Sequence, residues 1–176
     1  MTSLTLERPA STEHIEYFSR YIDLVPAGDI LESLERQIDE SMKLLKGLGE
    51  KQALHRYAPG KWSVKDMIGH VIDSERVFAY RALRFARADE TPLPGFDHDL
   101  WVPVAARDAD PWAALLDEWR LIRQANIAMF RGLDDAAWRR SGKANDNPVS
   151  VRALAWIIAG HELHHMKIIR ERYLRA

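Results

Sequence analysis

Four long stretches of this chain place apolar residues at helical spacing, and no segment of similar length alternates with the period of two that a half-buried strand requires. That pattern predicts an all-α fold. The first stripe is Ile30, Leu31, Leu34, Ile38, Met42 and Leu45, within a helix from about Asp29 to Leu48 that Gly47 and Gly49 bring to an end. The second follows Gly60 and Lys61, where Ser63 caps and Asp66 completes a short form of the capping box; its stripe is Val64, Met67, Val71, Phe78, Ala82 and Phe85. The third is expected to open at Asp110 and Pro111, a cap and a first-turn proline, and carries Trp112, Leu115, Leu116, Trp119, Ile122, Met129 and Phe130. The fourth begins after Pro148 with Ser150 as cap and reads Val151, Leu154, Ile158, His161, His165 and Ile168. Two histidines therefore interrupt an otherwise apolar seam.

Three connectors join these helices, at residues 49–62, 89–110 and 134–149, and none has the composition of a domain boundary. A single domain over residues 1–176 is expected. Ahead of the first helix, Tyr17, Phe18, Tyr21, Ile22 and Val25 fall at helical spacing, so residues 1–28 are expected to form an N-terminal extension packed on the bundle. The connector at 89–110 could span about 70 Å when extended, well beyond a bundle length of about 30–40 Å, whereas a plain antiparallel hairpin needs only about 2–8 residues. It is expected to be irregular and to cross the bundle, leaving helices two and three parallel and helices two and four antiparallel. The last connector has room for one helical turn around Ala136 to Arg139.

Composition narrows the chemistry. The chain has no Cys, which excludes disulfides, thiolate zinc sites, iron–sulfur clusters and a cysteine nucleophile, so any metal must be held by His, carboxylates or carbonyls. Lys plus Arg number 25 against 26 for Asp plus Glu, which gives no bulk electrostatic argument for a nucleic-acid or membrane partner. No apolar run approaches the ~18 residues of a membrane span, and Met1 to His14 lacks the apolar region of a secretory signal. A soluble, cytoplasmic protein is expected.

His161 and His165 are four residues apart, so their side chains project one turn apart on one helix face, about 40° offset and within reach of one metal ion. Two core histidines bonded to neighbours give the same spacing. The run from Gly160 to Met166 also contains the letters H-E-x-x-H, a zinc-protease pattern in which Glu162 would be the base for metal-activated water. Nothing else in the chain points to a protease. A third ligand is needed, and His70 is the candidate. It lies roughly 10 Å along helix two, while His165 lies roughly 13 Å from the end of helix four, so antiparallel packing brings them to one level.

Other polar residues read differently. Glu75 is rotated into the apolar arc of helix two, where a carboxylate needs an Arg or other donors, so a structural role is expected. Asn126 interrupts the stripe of helix three and could contact a substrate, but with helices two and three parallel it lies too far along for the level of His70 and reads rather as a buried structural hydrogen bond, whereas Trp119 lies at that level. Asp73 could orient a ligand imidazole or sit in water. His164 is expected behind a ligand or at the surface. Asp97, His98 and Asp99 could reach a metal, but such polar clusters usually sit in water.

The runs Tyr-Ala-Pro-Gly-Lys-Trp-Ser-Val-Lys-Asp at 57–66, Gly-His-Val-Ile-Asp-Ser-Glu-Arg at 69–76 and Gly-His-Glu-Leu-His-His at 160–165 resemble the DinB superfamily. Leu-Pro-Gly-Phe-Asp at 93–97 is similar to one branch of it, and the resemblance extends from about Tyr17 to Leu174. It implies a four-helix bundle of DinB/YfiT-like type that binds a divalent metal ion through three histidines, which fall here on His70, His161 and His165, with coordination positions open for water or substrate. Zn, Ni and Fe all suit three imidazoles. The implied activity is that of a metal-dependent hydrolase or thiol S-transferase acting on a small molecule. The protease reading weakens, because the family takes its third ligand from an earlier helix. Glu162, 100° around the helix from His161, would serve as the base or would face a neighbouring helix. A homodimer is expected. The rival is a non-catalytic metal- or ligand-binding helical module that dimerises, which a missing base would favour.

Overall fold

In a computed structural model, which describes residues 7–174, two 3₁₀ turns (Ser11–Glu13 and Glu16–Phe18) lead into a short helix, α1 (Ser19–Ile22). Asp29 then opens α2 (Ile30–Leu45), its Oδ1 accepting from the Leu31 N–H at 2.7 Å, and a single turn, α3 (Glu50–Ala53), follows. Ser63 opens α4 (Val64–Ala86) with the expected reciprocal pair: its Oγ accepts from Asp66 N at 2.9 Å, and Asp66 Oδ2 accepts from Ser63 N at 3.1 Å. The crossover holds α5 (His98–Ala105) and a 3₁₀ turn (Arg107–Ala109), and α6 spans Trp112–Arg131. After α7 (Asp135–Arg139), the strands β1 (Ser141–Ala144) and β2 (Asn147–Ser150) pair antiparallel before α8 (Val151–Ile168), which ends in a π-helical turn (Ile169–Tyr173).

The apolar stripes meet in two clusters at opposite ends of the bundle. One joins Ile30 and Leu34 with Phe78 and Phe85, Ile127 and Phe130, and Val151 and Leu154. The other joins Ile38 and Leu45 with Val64 and Met67, Leu115 and Trp119, and Met166 and Ile169. The start of α4 thus shares a cluster with the start of α6 and the end of α8. Helices α4 and α6 are parallel, and α4 and α8 are antiparallel, as expected from the length of the crossover.

Three details differ from the sequence reading. The start of α6 is not capped by Asp110: Pro111 holds the cap position, Trp112 N donates to Glu50 Oε1 at 2.7 Å, and Arg107 holds the Asp110 carboxylate. The crossover is not wholly irregular, because α5 forms in spite of Pro103 inside it. The third connector contains the β-hairpin, whose turn residues Asn145 and Asp146 both take positive φ (51° and 61°), the conformation that matches a two-residue turn to the twist of its strands. Leu93 of the crossover bonds to this hairpin through Lys143 O and Asn145 N.

Helix α8 is buried on almost every position, so it needs cover on all sides. Its fourth side is taken by the N-terminal segment. A Cβ on Gly160 would lie 2.1 Å from the Tyr21 carbonyl oxygen, so only glycine lets α1 approach this closely. Arg8 fixes the segment by donating to Ile22 O and Val25 O while its guanidinium lies 5.1 Å from the Trp156 ring centre. From Arg8 onward the described part of this segment lies against the bundle; residues 1–6 lie outside the described residues. Among the described residues, no helix is long and apolar enough to cross a membrane.

Candidate metal centre

Antiparallel packing of α4 on α8 brings the three predicted histidines together. His161 Nε2 lies 3.1 Å from His70 Nε2 and 3.0 Å from His165 Nε2, and one nitrogen of each ring falls within 4.8 Å of the others. An imidazole nitrogen carries one proton or one lone pair in the ring plane, so it satisfies one partner. His161 Nε2 faces two. A cation at the convergence point satisfies all three, and separations of about 3.0–3.4 Å are those of neighbouring ligands around an ion with bonds of about 2.1 Å. The donor set fits a divalent metal.

All three rings are buried, and burial holds His70 down to about 4 and keeps His161 and His165 well below the usual imidazole range. They are neutral at pH 7, as metal ligands must be. The rings are oriented largely by packing: Tyr21 meets His161 edge-on with ring centres 5.3 Å apart, and Trp62 lies 5.1 Å from His70. His165 Nδ1 is buried without a protein partner among the described residues.

A second buried group fixes α8 beneath them. Arg123 donates from Nε and Nη2 to the Glu75 carboxylate at 2.7 and 2.9 Å, and from Nη1 to Glu162 Oε2 at 2.7 Å and Leu34 O at 3.2 Å. Trp119 Nε1 and Asn126 Nδ2 complete the shell of Glu75, each at 3.1 Å. Ser41 Oγ donates to Glu162 Oε1 at 2.6 Å. Glu75 of α4, Arg123, Trp119 and Asn126 of α6 and Glu162 of α8, with Ser41 and the Leu34 carbonyl of α2, thus lock the four long helices in register between the two apolar clusters.

Of the Arg or other donors expected for Glu75, the structure supplies both, Arg123 and the N–H groups of Trp119 and Asn126, and Asn126 thereby makes the expected structural hydrogen bond. Trp119 turns to Glu75. Glu162, expected as base or as a residue facing another helix, has both oxygens engaged by Arg123 and Ser41. Burial pushes its pKa up, while the charge of Arg123 and the two hydrogen bonds oppose this. Burial also works against the charge of Arg123, but Glu162 and Glu75 outweigh it and hold its pKa above the ordinary value. Arg123 was not singled out from the sequence, although a charged residue one turn after Trp119 and one turn before Ile127, on an apolar stripe, was the available signal.

The imidazoles line a cavity of about 600 Å³ with aromatic walls that include Phe18, Tyr21, Trp62, Phe78 and Phe96. His98 and His164 line it too. The His98 ring centre lies 5.2 Å from that of His70, and His164 packs against Tyr21 and His165. The two other members of the polar cluster stay apart: Asp97 caps α5 and Asp99 is exposed. Asp73 turns to Arg76 and Arg107 rather than to an imidazole.

The family model of the DinB superfamily matches residues 33–169, a span that contains all three histidines and the Arg123 layer. The chain belongs to the DinB superfamily. Among curated relatives, this DinB-superfamily chain is 22% identical over 153 residues to the Oceanobacillus iheyensis protein named "Putative metal-dependent hydrolase OB0413", a match covering 80% of this chain and 81% of that one. Its fold is that of YfiT from Bacillus subtilis, described as "a probable metal-dependent hydrolase with an unusual four-helix bundle topology". That match has a TM-score of 0.72 at 19% identity and covers 95% of this chain and 91% of the other.

Proposed function

We propose that this protein binds one divalent metal ion through His70, His161 and His165 and uses it to hydrolyse a small molecule. The observation that carries the reading is the Nε2 of His161, faced by two imidazole nitrogens of which a neutral ring can satisfy only one. The names of the two relatives above support it. When bound, the ion supplies Lewis acidity and a nucleophile that ionises near neutral pH. Transfer of a thiol uses the same donor set with a different nucleophile. The chain's own part is to hold three neutral imidazoles in place, to line the reaction space with aromatic rings that exclude water, and to keep α8 in register through Arg123. Glu162 belongs to that scaffold and not to the reacting groups. We place the protein in the cytoplasm, as a homodimer that covers the exposed Leu100, Trp101 and Val104 of α5.

Elemental analysis of protein purified without a His tag, followed by ester-hydrolysis and thiol-transfer assays, tests the proposal. About one ion per chain with turnover in either class is expected. Stoichiometric metal with no turnover in both classes favours the non-catalytic binding module, and protein that takes up no divalent metal refutes the site.

A further inference from the structure

Arg81 lines the same cavity eleven residues after His70 on α4, a rise of about 16 Å and close to three whole turns, so the two side chains lie on one helix face. It is only 5% exposed. Its guanidinium donates to Pro94 O at 2.7 Å and lies 5.7 Å from the Phe96 ring centre, and among the described residues no carboxylate stands within ion-pair distance of it. The other buried arginine of the bundle, Arg123, has two carboxylates. Burying a cation without a counter-charge is costly, and burial does hold the Arg81 pKa below the ordinary arginine value.

The remaining walls are consistent with one another. Arg20 is a second cation in the cavity wall, held against Tyr17 and Tyr21, and among the described residues no Asp or Glu lines the cavity. Between His70 and Arg81, Ser74 lies in the cavity wall, its hydroxyl buried and without a partner among the described residues. The space between the two ends is apolar and aromatic, with Phe78 on α4 and Phe96 on the crossover.

We propose that the cavity takes an elongated small molecule carrying a carboxylate at one end, which Arg81 binds, with the reacting bond at the histidine cluster. A single buried guanidinium compensates one unit of charge and presents its donors in a plane that matches a carboxylate. The assignment of the reacting end rests on the metal-centre reading above; the anion end does not.

The probes are 6-phenylhexanoate and its neutral amide, titrated calorimetrically into chelator-treated and zinc-loaded protein. In the chelator-treated protein, where the acid cannot ligate zinc, it binds about 10- to 100-fold more tightly than the amide. Arg81→Met abolishes that preference, Arg81→Lys keeps part of it, and Arg20→Gln keeps most of it. Because Arg81→Lys retains the charge, it supplies a folded variant if thermal melting shows Arg81→Met to be unfolded; a fall in acid affinity of several-fold, with amide affinity unchanged, is expected there. Equal affinities for acid and amide in the wild type overturn the proposal, as does a preference that survives Arg81→Met or Arg81→Lys undiminished or disappears with Arg20→Gln. Zinc content of the same preparations reports separately on the metal centre: failure to bind zinc leaves the Arg81 result standing.

Discussion

Arg123 carries the only positive charge in a buried layer with two carboxylates, so the three residues stand or fall together. Arg123→Met leaves Glu75 and Glu162 without their counter-charge, and a loss of about 3–5 kcal/mol in urea unfolding is expected. Glu162→Gln keeps most of the hydrogen bonds and should cost about 1–2 kcal/mol while leaving zinc stoichiometry intact. A fall in turnover of about 100-fold with stability unchanged would instead restore Glu162 as the base. At this scale the sequence was partly legible. Spacing on two helices was enough to select the three histidines that meet, and the place of Glu75 in an apolar arc was enough to call for an arginine or other donors. Which arginine, and the engagement of Glu162 by it, depended on how α6 and α8 are rotated about their axes, and no local pattern records that. Arg81 escaped notice for the opposite reason: on α4 it looks like any charge flanking an apolar stripe until Phe96 and Pro94 of the crossover close over it.

Among the elements, the long helices followed from stripe and cap, because Asp29, Ser63 and Ser150 satisfy first-turn N–H groups with side chains close in sequence. The elements that were missed depend on distant partners. The hairpin owes its register to an Asn-Asp turn and to Leu93 of the crossover, and α6 owes its start to Glu50 on α3. The contact of α1 with α8 is the most exposed to change. Gly160→Ala drives a methyl into the Tyr21 carbonyl, so α1 must shift and carry with it the ring that packs on His161. The expected cost is about 1–3 kcal/mol in thermal unfolding, accompanied by weaker zinc affinity in a competition titration. Unchanged affinity would mean that Tyr21 does not position the imidazole.

For the molecule as a whole, the two apolar clusters lie at either end of the bundle and the histidines sit to one side of the charged layer, so the fold does not depend on the ion. Chelation at pH 7.5 should leave far-UV circular dichroism intact. Acid acts through the imidazoles. Their folded-state pKa values lie below the ~6.5 of an unfolded histidine, so below that pH the unfolded chain takes up protons that the folded chain refuses. Stability of the chelated protein should be full above pH 6.5 and fall as pH drops towards 4, the value to which His70 is lowered. Urea midpoints at pH 7.5, 6.5 and 5.5 measure this, and a flat profile would show that the rings accept protons in place. In the proposed centre, α4 and α8 share one metal ion across the bundle. Equilibrium dialysis against zinc tests it most directly: the wild type, His14→Ala and His55→Ala should each bind one ion per chain, whereas His70→Ala, His161→Ala and His165→Ala should each lose it. Unchanged stoichiometry in His70→Ala would contradict the shared centre and leave any metal to α8 alone.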